Sequence, residues 1–314
     1  MAKRITDYKN GEQMSLEAVI KLSDYRLAKN GKNFLSLVFE DKSGQIPGKY
    51  WDASEQNAKD FKVGAVVQLD GKRDLYQGKP QVTISRLGVI DPATVDMSQF
   101  VQTAPEKISD MENEFEDVFL QITNGTWSRI VRYLFKKFHD QFFTSPAAKT
   151  NHHDFQGGLA FHTLSMVRLA EKISDQYPQV NRALLIAGAC IHDLGKVIEL
   201  KGTLGIEYTF EGNMIGHITI VDEEIVLAAK ELNMTMDSED LILLRHMVLS
   251  HHGLLEYGSP ERPKLLEAEI LHDIDVLDAS INMITKALDK TDPGKFSERI
   301  FGMDNRSFYK HSEK

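Results

Sequence analysis

The sequence predicts a two-domain chain of mixed α and β class: a small N-terminal β-barrel, then an all-helical bundle carrying one short β-hairpin insertion. Three observations predict it. Up to about residue 90, short runs of β-forming residues alternate with Gly-, Asn- and Asp-rich turns. The stretch "DPATVDMSQFVQTAPEKI" at 91–108 then has two prolines and no period. From residue 109 onward, apolar residues recur at spacings of three and four. The expected division is a barrel over 1–90, a linker over 91–108 and a helical domain over 109–314, a comfortable length for two cores.

In the first part, residues 15–28 read as a strand, "NGKN" at 30–33 as a hairpin turn and "FLSLVFE" at 34–40 as the returning strand. "DKSG" at 41–44 turns the chain into "QIPGKYW" at 45–51, and "DASEQNAKDF" at 52–61 has a helical pattern. "AVVQLDG" at 65–71 and "KPQVTISRL" at 79–87, joined through "YQG", complete a β-β-β-α-β-β order. That order resembles the oligonucleotide-binding (OB) fold, a five-stranded Greek-key barrel. The segment "NGKNFLSLVFEDKSGQIPGKYW" resembles the second and third strands of its nucleic-acid-binding members.

Helical runs are expected at 110–122, 127–143, 159–176, 181–193, 213–232, 238–252 and 264–290, with a β-hairpin in "IELKGTLGIEYTF" at 198–210. "NRSFYKHSEK" at 305–314 reads as a frayed tail. The N-terminal "MAKRITDYKNGEQ" has no apolar core for a signal peptide, and the longest apolar run, Ala183–Ile191, is too short to span a bilayer. One cysteine, Cys190, excludes an internal disulfide and points to a reducing compartment. The expectation is a cytoplasmic protein without a membrane partner. Net charge is −9, but unevenly spread: residues 1–90 carry 15 Lys/Arg against 11 Asp/Glu, or +4, and the rest 22 against 35, or −13. A basic front on an acidic body suggests two domains with different tasks.

The chemistry lies in the second half. His162, the doublet His192–Asp193, His217, the pair His251–His252 and Asp275 all fall within or at the ends of predicted helices, in apolar surroundings. One buried histidine is ordinarily a hydrogen-bonded core residue, and that account suits His246. Seven such residues over five helices are better explained by metal ions, because buried charge is costly unless paired or metal-bound. Mixed nitrogen and oxygen donors without thiolates suit divalent transition metals. The order H…HD…H…HH…D resembles the HD-domain metal-dependent phosphohydrolases, and "HDLGK" matches them through Lys196. The resemblance implies that His162, His192, Asp193 and Asp275 hold one ion. Asp193, His217, His251 and His252 would hold a second, with Asp193 bridging. Asp278 competes with Asp275 for the last position, and Asp275 fits the family's order better. His272, one turn earlier, would support the ligands from behind. A pair of ions serves phosphoester hydrolysis, with Asp193 and Lys196 in the catalytic roles. His152 and His153 in "NHHDFQGGL" are candidates for the substrate entrance.

In the barrel, Lys21, Arg26, Lys29, Lys32, Lys49, Lys72, Arg73 and Arg86 are candidate phosphate contacts, and Tyr25, Phe34, Tyr50, Trp51 and Tyr76 candidate stacking platforms. The foremost of these are Arg26, Lys32, Phe34, Lys49, Trp51 and Arg73. An OB domain followed by this HD domain, including "NHHDFQGGLAFHTLSM", resembles the YhaM family of bacterial 3′→5′ exoribonucleases. That resemblance implies two divalent ions, Mn²⁺ before Fe²⁺ or Co²⁺, and single-stranded RNA, together with single-stranded DNA, as substrate. A homo-oligomer is compatible with it. Two other readings stay open: a small-molecule or cyclic-nucleotide phosphohydrolase with a regulatory barrel, and a non-catalytic RNA-binding protein with structural metal.

Overall fold

The computed structural model describes residues 3–28, 31–95, 99–100, 103–148, 155–202 and 206–312. The chain divides into two compact units, Met1–Thr103 with Gly202–Glu207, and Ala104–Lys201 with Tyr208–Lys314.

In the first unit, strands β1 (Gln13–Leu27), β2 (Asn33–Asp41), β3 (Gly44–Trp51), β4 (Val66–Tyr76) and β5 (Lys79–Val89) form a closed barrel in the order β1-β2-β3-β5-β4. Helix α1 (Glu55–Asp60) lies between β3 and β4 in sequence, and Ser54 caps it by accepting the Asn57 N–H at 3.1 Å. Neighbouring strands are antiparallel except β3 and β5, which run parallel. Gln77 and Gly78, with φ of 51° and 78°, make the tight β4–β5 turn, because paired positive φ matches the twist of the flanking strands. Period-two alternation then sorts the side chains. Leu35, Leu37 and Phe39 of β2 point inward to join Leu16, Ile46, Leu69 and Val82, while Phe34, Ser36 and Val38 face outward. After β5, Ile90, Val95 and Phe100 pack on Val19 and Val66, laying part of the expected linker against the barrel.

The second unit is built from α2 (Ile108–Gln121), α3 (Gly125–Lys137), α4 (His139–Thr144), α5 (Gly158–Gln176), α6 (Arg182–Ile191), α7 (Lys196–Glu199), α8 (Phe210–Ile215), α9 (His217–Glu231), α10 (Glu239–Ser250) and α11 (Leu266–Asp289). The inserted hairpin is present as β6 (Leu200–Lys201) and β7 (Glu207–Tyr208). Helix α6 is buried at every position of Ala183–Ile191, as its all-apolar sequence requires of a central helix. Phe115, Phe119, Phe135, Phe142 and Phe143 lock α2, α3 and α4 together, with ring centroids 4.6–5.9 Å apart. Phe142 is fully buried, so Phe142→Ala is expected to cost about 3–5 kcal/mol. A lowered urea midpoint in the helical circular-dichroism signal would register it.

The helical pattern is interrupted in three places. The expected run at 127–143 breaks at Phe138, whose φ of −112° and ψ of 18° leave the helix and let Phe142 and Phe143 enter the aromatic cluster. The run at 213–232 breaks at Gly216, whose φ of 79° is open to glycine. Helix α6 stops at Ile191, and the residues before Lys196 turn instead of continuing it. The C-terminal segment corrects the expectation of a frayed tail. Bridges Phe296–Tyr309 and Ile300–Arg306 fold it back, Phe308 N–H donates to Ser297 Oγ at 3.0 Å, and Lys310 Nζ donates to the Leu288 carbonyl at 2.9 Å. The reversal is made by Asp304 and Asn305, both with positive φ, a conformation Asp and Asn tolerate better than other side chains. No described helix is long and apolar enough to cross a membrane.

Candidate metal centre and nucleic-acid face

The turn after α6 and the break at Gly216 help bring the seven singled-out residues together. His162 projects from α5, His192 and Asp193 from the turn after α6, and His217 from the first position of α9. His251 and His252 follow α10 directly, and Asp275 lies on α11. Asp193 is the centre. Its Oδ2 lies 3.5 Å from His162 Nε2 and 3.4 Å from His192 Nε2, while Oδ1 lies 3.4 Å from His217 Nε2 and 3.8 Å from His251 Nε2. Asp275 Oδ1 stands 3.4 Å from His162 Nε2. Among the described residues, two groups bring three ligand atoms within 4.8 Å of one another: His162, His192 and Asp193, and His217, His251 and His252. The first group is fully buried. The site opens past His217 and Asp275, whose side chains are 12% and 16% exposed.

Each of the five imidazoles is oriented from behind. Nδ1 of His192, His251 and His252 faces the carbonyl of Ala189, Val248 and Tyr257 at 2.9, 2.7 and 2.7 Å. Nδ1 of His162 faces Asp278 Oδ2 at 2.8 Å, and that of His217 faces Glu199 Oε1 at 3.1 Å. Carbonyls and carboxylates only accept, so Nδ1 carries the proton and the Nε2 lone pair is turned inward. The consequence tests the site for a cation. His217 Nε2, His251 Nε2 and Asp193 Oδ1 are buried without a hydrogen-bond partner. Lone pairs facing one another with no proton between them repel, and a divalent ion between them resolves the conflict. The donor set therefore fits metal.

The charges agree with this. Burial opposes charge on His162, yet the Asp275 and Asp278 carboxylates push its pKa up to about 9, so without an ion its Nε2 carries a proton as well, and a cation held there would take that proton's place. Burial and the neighbouring His252 and His192 rings hold His251 far below the usual imidazole range, keeping it a neutral donor. Burial would raise Asp193, but the Lys196 ammonium, 2.6 Å from Oδ2, and His192 keep it ionised. His272 donates from Nδ1 to the His251 carbonyl at 3.0 Å and so supports backbone, not a ligand ring. His246 accepts the Lys264 N–H at 2.9 Å, away from the site. Asp278 and Glu199 were not legible as partners of His162 and His217. The one available cue was a carboxylate one helical turn from Asp275, and Glu199 had none. His152 and His153 lie outside the described residues.

The barrel's outer surface gathers some of its candidates and not others. Cross-strand pairing aligns Arg26, Phe34 and Trp51 in one row, and Asp24, Ser36, Lys49, Thr83 and Lys72 in the next. Phe34 and Trp51 rings lie 5.1 Å apart. Lys49 Nζ stands 5.6, 5.5 and 5.8 Å from the Phe34, Trp51 and Tyr76 rings, and Trp51 and Tyr76 are 54% and 57% exposed. Arg26 pairs with Asp24 at 2.7 Å and Lys32 with Asp52 at 2.9 Å. Arg73 is turned elsewhere, its Nη1 donating to the Ile5 carbonyl at 2.7 Å. Tyr50 packs edge-on against Phe61 and belongs to the core, while Lys29 lies outside the described residues.

The HD domain family matches residues 159–280, and the OB-fold nucleic acid binding domain family matches 14–90. Fold and site thus define a divalent-metal-dependent HD phosphohydrolase with an OB barrel at its N-terminus. Along its whole length the chain is similar to proteins named "3′-5′ exoribonuclease YhaM": 48% identical over 98% of both chains to that of Listeria innocua serovar 6a, and 47% over 98% of both to that of Listeria monocytogenes serotype 4b. The chain belongs to the YhaM family.

Proposed function

We propose that this protein is a 3′→5′ exoribonuclease that removes 5′-mononucleotides from single-stranded RNA, accepts single-stranded DNA, and works in the cytoplasm. The observation that carries the reading is the Asp193 carboxylate, with one oxygen towards each of two histidine groups. His162, His192, Asp193 and Asp275 would hold one ion, and Asp193, His217, His251 and His252 the other, with Mn²⁺ the best match to the donors. Asp275 is preferred to Asp278 because it faces His162 Nε2, whereas Asp278 faces Nδ1. Such ions, when bound, activate water and stabilise charge on a phosphoryl group.

The chain's own side chains do the rest. The Nδ1 bonds hold five Nε2 lone pairs in place before substrate arrives, and Lys196 contributes positive charge beside the doublet. The buried floor and partly open mouth suit a strand end better than a strand passing through. Breaking the P–O3′ bond leaves phosphate on the 5′ side of the released nucleotide and a fresh 3′-hydroxyl on the chain. Residues 1–90 would grip upstream nucleotides by stacking on Phe34, Trp51 and Tyr76 with Arg26 and Lys49 on phosphates, residues 91–108 would link, and 109–314 would hydrolyse.

A 5′-labelled single-stranded RNA incubated with Mn²⁺ is expected to shorten one nucleotide at a time on a sequencing gel, and to stay intact with chelator. Immediate release of labelled mononucleotide would reverse the polarity, and discrete internal fragments would make the enzyme an endonuclease. Turnover of free nucleoside triphosphates in place of RNA would favour a small-molecule phosphohydrolase.

A further inference from the structure

The two histidine groups differ in charge. Beside the first stands the Asp275 carboxylate, 3.4 Å from His162 Nε2, with Asp278 behind the same ring. The second offers three imidazoles and a share of Asp193, whose other oxygen is already paired with Lys196. Behind the second group stands Glu199, 8% exposed, at the end of α7. Its Oε1 accepts two hydrogen bonds from His217, from the backbone N–H and from Nδ1, each at 3.1 Å.

We propose that Glu199 sets the occupancy of the second divalent ion: a positioning residue that aims His217 and supplies the negative charge its group lacks. The proposal rests on the two-ion reading above. A carboxylate on Nδ1–H raises the basicity of Nε2 and fixes the ring's direction. His217 depends on this bond more than the other four, because it opens α9 directly after the Gly216 break and borders the mouth.

The surroundings are shaped to keep the pair in register. A Cβ on Gly195 would lie 2.3 Å from the His217 carbonyl oxygen, and one on Gly212 would lie 2.4 Å from that of Glu199. Both backbones are pressed onto the pair where any side chain would push it apart. Thr209 closes the other side, its N–H donating to the Glu199 carbonyl at 2.9 Å. Burying a carboxylate here is costly unless the position needs its charge.

The test titrates metal-stripped, full-length protein with Mn²⁺ by calorimetry, with free Mn²⁺ followed by electron paramagnetic resonance. Wild type is expected to bind two ions. Glu199→Gln should keep the first at unchanged affinity and bind the second about 10–100-fold more weakly, with hydrolysis recovering at high Mn²⁺. Glu199→Asp, which keeps the charge, should bind the second ion more tightly than Glu199→Gln, and Asp278→Asn should weaken the first ion instead. Glu199→Gln that binds both ions like wild type overturns the proposal, as does equal loss in the Gln and Asp variants. A wild-type chain that takes up one ion overturns the two-ion reading and this proposal with it, so the two failures are told apart.

Discussion

Asp193→Asn is expected to lower RNA hydrolysis by about 10³-fold or more, because ion-assisted chemistry contributes several kcal/mol to such reactions and each 1.36 kcal/mol is a factor of ten. The reason is geometric. One carboxylate serves both histidine groups, so its neutralisation weakens both at once. The substitution also strands Lys196, which is buried and bonded to Asp193 at 2.6 Å, and breaking a buried pair costs about 3–5 kcal/mol of stability. His192→Ala separates the two effects: it removes a ligand and leaves the Lys196–Asp193 pair intact. Both variants should lose hydrolysis, and because His192→Ala also empties a buried position, turnover is compared below the melting temperature of each. RNA affinity, measured by fluorescence anisotropy with chelator present, should stay at the wild-type value in both. Normal turnover by folded Asp193→Asn protein would sink the bridging assignment.

The ligand set was legible because metal donors violate the hydrophobic pattern around them. A histidine and an aspartate ending the apolar run Ala183–Ile191 have no reason to be there unless something pairs them. The barrel was legible for the complementary reason: alternation and turn residues are local signals, and they define strand order before any long-range contact is known. What remained hidden depends on backbone direction at the breaks. Glu199 reads as an ordinary acidic residue beside a hairpin, and only the turn at Gly195 and the kink at Gly216 carry it to His217. Arg73 looks like a groove charge in sequence, but the alternation along β4 places it on the face of Leu69 and Gly71, where it ties down the Ile5 carbonyl. The C-terminal segment read as loose because its pairing partner, 296–300, has no strand pattern of its own.

Trp51→Ala is expected to weaken single-stranded RNA binding by roughly 5–150-fold, since base–aromatic stacking is worth about 1–3 kcal/mol per base. Trp51 is the better choice than Phe34 because it is more than half exposed, whereas Phe34 is half-buried beneath the same row and its loss would also disturb packing. Trp51→Phe should retain most of the affinity, because a flat apolar face survives. Lys49 gives an independent check. Its ammonium stands over three rings, and its direct cross-strand partners, Ser36 and Thr83, carry no charge, which suits it to meet a phosphate. Lys49→Ala should flatten the plot of log affinity against log salt by about 0.7, the value for one phosphate contact on a single strand, whereas Trp51→Ala should shift that line and leave its slope unchanged. Cleavage of a small chromogenic phosphodiester should be untouched by either substitution, because every proposed metal ligand lies beyond residue 150. Unchanged RNA affinity in a Trp51→Ala, Lys49→Ala double variant would mean that this face of the barrel serves some task other than gripping the strand.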